Sequence, residues 1–268
     1  MGDRGAEPEP SPATMVAQTE RVGGPPPGPP SLPSRAVPTG SLGGDRPVVD
    51  VRVVLFTVTA GSLLVALQGP TRAPRLPRGL PGVGEPLDAA ARRIVRGSTA
   101  LSEQYLEQLY TLSVPDDPSD PTARSWTVVV SYMALIVSGT GHGADAAPAP
   151  AAGVTWCAMD ADPALVSTDR MVLDYAQLRL QAKLGYTTIA FHLLPQTFTL
   201  SELQRAYEAI LGRPLDKRNF RRRVTAAGIL TQTAEQRRDG SHRPAALYRF
   251  RAEHDRESYL TPPWSGGS

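Results

Sequence analysis

From Val48 onward, apolar side chains first recur at every second position. Val49, Val51, Val53 and Leu55 carry the alternation, and Ser62–Leu67 repeats it beyond Gly61, so two strands around a tight turn are predicted. The period then lengthens. Leu87, Ala90, Ala91, Ile94 and Val95 fall at helical spacing and predict an amphipathic helix set between strands. SWTVVVSYMALIV, residues 125–137, reads as a β-branched strand behind the turn-rich PDDPSDP, and GVTWCAM as another after a low-complexity loop at 139–153. Past Thr168 the texture is helical again. Val172, Tyr175, Ala176 and Leu180 mark a helix of about 15 residues, with Ser167 or Thr168 as its N-cap, expected to join two domains.

The last segment has the sharpest pattern. Thr199 followed three residues later by Glu202 is a capping box; Leu200, Leu203, Tyr207 and Ile210 form one apolar stripe, and Gly212 ends the helix. Asp216 can cap a second helix, KRNFRRRVTAAG, in which Phe220, Val224 and Ala227 face inward while Arg218, Arg221 and Arg222 face out. GILTQT and ALYRF are short strands around a basic loop, AEQRRDGSHRP. Helix, turn, basic helix, hairpin is the outline of a winged helix-turn-helix.

Composition narrows the options. Of 28 basic residues only Lys183 and Lys217 are lysines, so arginine richness is a general bias and only its local concentration counts. Between Pro195 and Phe250 there are 11 Lys/Arg against five Asp/Glu, +6 in a chain whose formal charge is +2. Such segregated charge suits phosphate contact and counterion release. Lys217, Arg218 and Asn219 start the second helix, where a recognition helix meets base edges, with Arg221 and Arg222 one turn on. Arginine can take guanine O6/N7 and asparagine can take adenine. Arg223 lies nearer the buried edge and suits a phosphate or an acidic neighbour, while Arg237, Arg238, His242 and Arg243 on the wing suit backbone or minor-groove contact.

Other classes recede. One cysteine, Cys157, excludes an internal disulfide and a cysteine-rich zinc site and is expected to be a buried apolar residue; the four histidines show no metal-ligand spacing. Residues 1–47 hold 11 of 27 prolines and are expected to be a disordered tail without a signal peptide. The most apolar run contains Asp50 and Arg52 and reads as strands, not a membrane span. A cytoplasmic protein is expected.

Residues 79–101 resemble the Nudix box. Gly79, Glu85 and Arg93 match its spacing, whereas Ile94 stands in place of the glutamate after the arginine, Gly97-Ser98 in place of the glutamate pair, and Ala100 in place of the later glycine. Family hydrolases hold Mg²⁺ or Mn²⁺ mainly through those glutamates, and hard cations need several carboxylate oxygens. The Mg²⁺ site is therefore expected to be lost, with no catalytic residue and no cofactor. FTLSELQRAYEAILGRPLDKRNFRRRV is similar to the C-terminal domain of the Nudix-related transcriptional regulators (NrtR family), and the shared domain order covers roughly 48–250.

The resemblance implies an α+β protein: a Nudix-like α/β/α sandwich followed by a C-terminal winged helix-turn-helix. The expected division is tail 1–47, sensor 48–168, inter-domain helix 169–190, winged helix 191–252 and tail 253–268. It also implies a homodimeric repressor of NAD-related metabolism that binds double-stranded operator DNA and senses ADP-ribose or another NAD metabolite. Arg75, Arg78 and Arg93 are candidates for diphosphate contact, and Glu85 and Trp126 complete the candidate effector set. Arg93 is read first as a brace on Glu85, and Trp126 as a core residue before a base-stacking one. Two rivals stay open: a weak Nudix pyrophosphatase using Glu85, Asp88 and Glu103, and a DNA-binding protein whose sensor half is only a dimerisation scaffold.

Overall fold

The computed structural model describes residues 47–115, 126–138, 147–237 and 244–251. A long hairpin starts it: β1 (Val48–Thr59) turns back into β2 (Ser62–Gln68). The turn residues Ala60 and Gly61 both take positive φ, 51° and 81°, as a two-residue turn matched to strand twist requires. A two-residue strand β3 (Arg78–Gly79) pairs with β1 and leads into helix α1 (Leu87–Thr99). The sheet is completed by β4 (Tyr105–Pro115), β5 (Trp126–Leu135) and β6 (Val154–Ala158) in the order β4-β5-β1-β2-β6. β1 and β5 run parallel; the other pairs are antiparallel.

Strand alternation sends the two sides of this sheet to different cores. Val51, Val53 and Leu55 of β1 join Val130, Tyr132 and Ala134 of β5 against α1, whose Ala90, Ala91, Ile94 and Val95 are buried. Val54, Phe56 and Val58, with Met133 and Leu135, face the opposite way onto α2 (Ser167–Leu184), through Val172, Leu173, Ala176 and Leu180. The result is an α/β/α sandwich. The helix expected to join two domains is also its second helical layer. Its cap differs from expectation too: Val166 occupies the N-cap position with no side-chain bond, and Ser167 is already helical. Cys157 is half-buried at the margin of this core instead of fully inside it.

A short 3-10 turn, Ile189–Leu193, leads into α3 (Leu200–Leu211) and α4 (Lys217–Ala226), followed by the hairpin β7 (Leu230–Arg237) and β8 (Ala245–Phe250). Phe198 adds a third rung by exchanging two backbone hydrogen bonds with Tyr248, at 3.0 and 2.8 Å. β7 runs on through AEQR, which the sequence had suggested as loop. Leu203, Ala206, Tyr207, Ile210, Phe220 and Val224 are continuous with the core under α2, so the C-terminal unit is seated on the sandwich. Gln181 of α2 donates to the Ile210 carbonyl of α3 at 2.9 Å and fixes that seat. No helix among the described residues is long and apolar enough to cross a membrane.

Candidate effector pocket and nucleic-acid interface

The loop between β3 and α1 is organised by one carboxylate. Glu85 accepts the Gly82 amide at 2.7 Å, and Arg93 reaches it with two bonds, Nε to Oε1 at 2.9 Å and Nη2 to Oε2 at 2.7 Å. Arg93 also donates to the Leu80 carbonyl at 2.9 Å, so one guanidinium ties the helix to both ends of the loop. These bonds favour the ionised carboxylate: Arg93, then the Gly82 amide, bring Glu85 down to about 2, and the pair raises Arg93 in turn. Gly79 lies directly over the helix: a Cβ there would stand in ordinary contact with Ile94 Cδ1, 3.6 Å away. Ile94 is thus part of the core, and Ser98, also buried, bonds back to the Ile94 carbonyl. Glu103 is buried against Arg92, whereas Asp88 is exposed at the start of α1.

The five residues proposed for the effector do not converge. Glu85 and Arg93 lie together on the α1 side. Arg78 is the register partner of Arg52, pointing to the α2 side, where it comes within 3.7 Å of Asp50. Arg75 bridges backbone to backbone with Gln68 at the end of β2. Trp126 starts β5 with 39% of its surface exposed, contrary to the expected core position.

Beside Arg78 lies a buried charged group that was not anticipated from the sequence. Arg52 donates to Asp50 at 2.9 Å and to Asp169 at 2.5 Å, and the second Asp169 oxygen accepts the Leu76 amide at 3.1 Å. All three charged residues are buried. The triad links β1, the segment before β3 and the first turn of α2. Its signal was present: Asp50 and Arg52 interrupt an otherwise apolar strand, and a buried charge needs a partner.

At the other end, the capping box forms as its spacing requires: Thr199 accepts the Glu202 amide at 3.1 Å and Glu202 accepts the Thr199 amide at 2.7 Å. Asp216 caps α4 through the Asn219 amide at 2.7 Å. Phe220 and Val224 are buried, while Lys217, Arg218, Arg221 and Arg222 are exposed and Arg223 half-buried. Arg221 donates to Ser201 at 3.2 Å and Arg222 to Asn219 at 3.0 Å. Among the described residues, Lys217, Arg218 and Arg223 have no acidic partner. Arg237 ends β7, where it pairs with Glu202 at 2.5 Å, so the wing is anchored to the cap of α3. Arg238, His242 and Arg243 lie outside the described residues.

Sandwich, buried connecting helix and basic winged helix together define a two-part regulator of the helix-turn-helix class. Residues 190–250 match the NrtR DNA-binding winged helix domain. The chain is 34% identical over 223 residues to the ADPR responsive transcriptional repressor NtrR of Acinetobacter baylyi, covering 76% of this chain and 82% of that one. It is also similar to Shewanella oneidensis NrtR complexed with a 27mer DNA, at 28% identity and a TM-score of 0.61, covering 77% and 94% of the two chains. A MutT/nudix family protein of Enterococcus faecalis shares the fold at 20% identity and a TM-score of 0.57, over 90% and 94%. The chain belongs to the NrtR family of transcriptional repressors.

Proposed function

We propose that this protein represses transcription by binding double-stranded operator DNA through α4 and the wing, under control of ADP-ribose or a related NAD metabolite held by the sandwich. The outer face of α4 carries the reading: five cations on ten residues, with Lys217, Arg218 and Arg223 lacking any internal acid among the described residues. The Shewanella oneidensis protein was crystallised with DNA and the Acinetobacter baylyi relative is named for its response to ADPR, which supports both halves. We also propose a homodimer acting in the cytoplasm, its two recognition helices meeting two half-sites. The boundaries proposed are 48–168 for the sensor, 169–190 for the connecting helix and 191–252 for the DNA-binding unit.

The sandwich acts in this reading as a receptor and not as a hydrolase. Three observations support it. The Glu85 carboxylate is engaged by Arg93 and the Gly82 amide, Glu103 by Arg92, and the position after Arg93 holds a buried isoleucine. A Mg²⁺ ion needs several oxygens arranged around one point, and these residues do not fit it. What remains for a diphosphate is hydrogen bonding by the loop and by a guanidinium such as that of Arg93.

Gel-shift measurements with fragments from upstream of the protein's own gene and of NAD-biosynthesis genes, with and without ADP-ribose, test the proposal. A specific complex that changes with ADP-ribose is expected. Mg²⁺-dependent cleavage of ADP-ribose that disappears in Glu85→Ala would establish the enzyme reading instead, and calorimetry without heat would reduce the sandwich to a scaffold.

A further inference from the structure

The recognition helix divides its labour in a way that its composition does not show. Successive residues of a helix turn by about 100°. With Phe220 and Val224 buried, the direction pointing straight away from the core falls on Arg218 and Arg222. These two are one turn apart, about 6 Å along the axis. That is close to two base steps of about 3.4 Å each. Arg221 is turned aside towards Ser201, in the first turn of α3, the helix that crosses the phosphate backbone in this architecture.

Asn219 flanks the pair and is half-buried. Its backbone N–H is taken by the Asp216 cap at 2.7 Å, and its side-chain oxygen accepts Arg222 Nη2 at 3.0 Å. A guanidinium only donates, so the atom facing it is the oxygen. Bidentate recognition of adenine needs both the oxygen and the amide nitrogen of asparagine, presented along one edge. Here Arg222 Nη2 already engages the oxygen of that edge.

We propose that Asn219 is a positioning residue: it presets the Arg222 fork for guanine, while Arg218 takes a second guanine about two base pairs away in the same half-site, and no adenine is read by Asn219. This rests on the operator-binding reading above. It replaces the assignment of Asn219 to adenine with a role that acts through its neighbour.

The test is a selection of duplexes from a random pool by the full-length protein, followed by competition between the selected site and single-base substitutions of it. The wild type is expected to select half-sites with two guanines at that spacing. Asn219→Asp keeps an acceptor for Arg222 and is expected to keep the guanine preference there, although its added charge weakens binding to every site alike. Asn219→Ala is expected to lower the preference at that one step on the order of tenfold. Adding Asn219→Ala to Arg222→Ala is expected to cost nothing further in selectivity. The wild type and all four variants should melt together, because none of the substitutions removes a buried side chain. A selected site without the guanine pair overturns the proposal, as does an adenine preference that vanishes in both Asn219 variants while guanine preference survives. Failure to select any duplex above non-specific competitor would instead defeat the repressor reading itself.

Discussion

α1 and α4 are two short amphipathic helices, each with a run of arginines, and they use them in opposite ways. On α1, Arg92 is closed onto Glu103 and Arg93 onto Glu85. On α4 the cations other than half-buried Arg223 face outward, and among the described residues their side-chain partners, Ser201 and Asn219, are neutral. A guanidinium satisfied by an acid of its own chain holds structure together. One left without such an acid keeps its charge for a partner. Charge runs alone do not separate these cases; the position of the acids does.

The largest effect is expected where a cation is closed most tightly inside. Asp169→Ala leaves Arg52 with one carboxylate and the Leu76 amide without an acceptor. Loss of one partner of a buried ion pair costs about 3–5 kcal/mol. Denaturant titration should show a fall of that order, with α4 still able to bind DNA in the folded fraction. An unchanged midpoint would show that the triad is solvated, and that the internal class of arginine is less closed than its burial implies.

The outward class should behave in the reverse manner. Arg218→Ala and Arg222→Ala each remove about 1–3 kcal/mol of discrimination from operator binding, without lowering the melting temperature. Gel-shift against specific and scrambled duplexes separates the two quantities. If the double variant binds its operator as the parent does, the comparison between α1 and α4 loses its functional side.

A smaller effect tests the frame that presents α4. Thr199→Ala removes the side-chain half of the capping box and should lower stability by about 1 kcal/mol, read by thermal melting. Because Glu202 is also the partner of Arg237, the wing hairpin should show faster hydrogen exchange in Glu202→Gln than in Thr199→Ala. Equal exchange in the two variants would mean that the wing is held by its strand pairing alone.

These regions differed in how much the sequence disclosed. The β1–β2 hairpin, α1, α3, α4 and the wing were legible because period, caps and turn residues all agreed over short distances. β4 was not anticipated. Its residues, YLEQLYTLSVP, are mostly half-buried and the strand carries a bulge between Gln108 and Thr111, so no clean alternation survives. The place of α2 was hidden for a different reason: that a helix covers the sheet depends on partners more than 100 residues away, such as Arg52 for Asp169. Trp126 was assigned inward on residue type, but it is the first residue of an interior strand, and at that strand end it stays partly in solvent. Of the candidate site, the basic helix could be read at the level of the face, and the Asn219–Arg222 contact could not. Spacing predicts which residues are neighbours, not which of them engage each other.

The smallest expected effect is the most direct probe of the internal class. Glu85 has its folded midpoint lowered from 4.5 to about 2, chiefly by Arg93. A carboxylate depressed in this way adds stability that is present above its unfolded midpoint and is lost as pH falls from about 4.5 towards 2. The pair is open to water, so its contribution to melting at neutral pH should be minor. The titration itself should move clearly. Carboxyl NMR of Glu85 should show the midpoint rising towards 4.5 in Arg93→Ala, with neutral-pH melting nearly unchanged. Addition of ADP-ribose to the wild type sharpens this further. If the ligand's diphosphate draws Arg93 away from the loop, Glu85 loses its main stabilising partner and its midpoint rises on binding. If the midpoint stays low while calorimetry shows ADP-ribose bound, Arg93 remains a brace in both states, and the diphosphate is held by other groups.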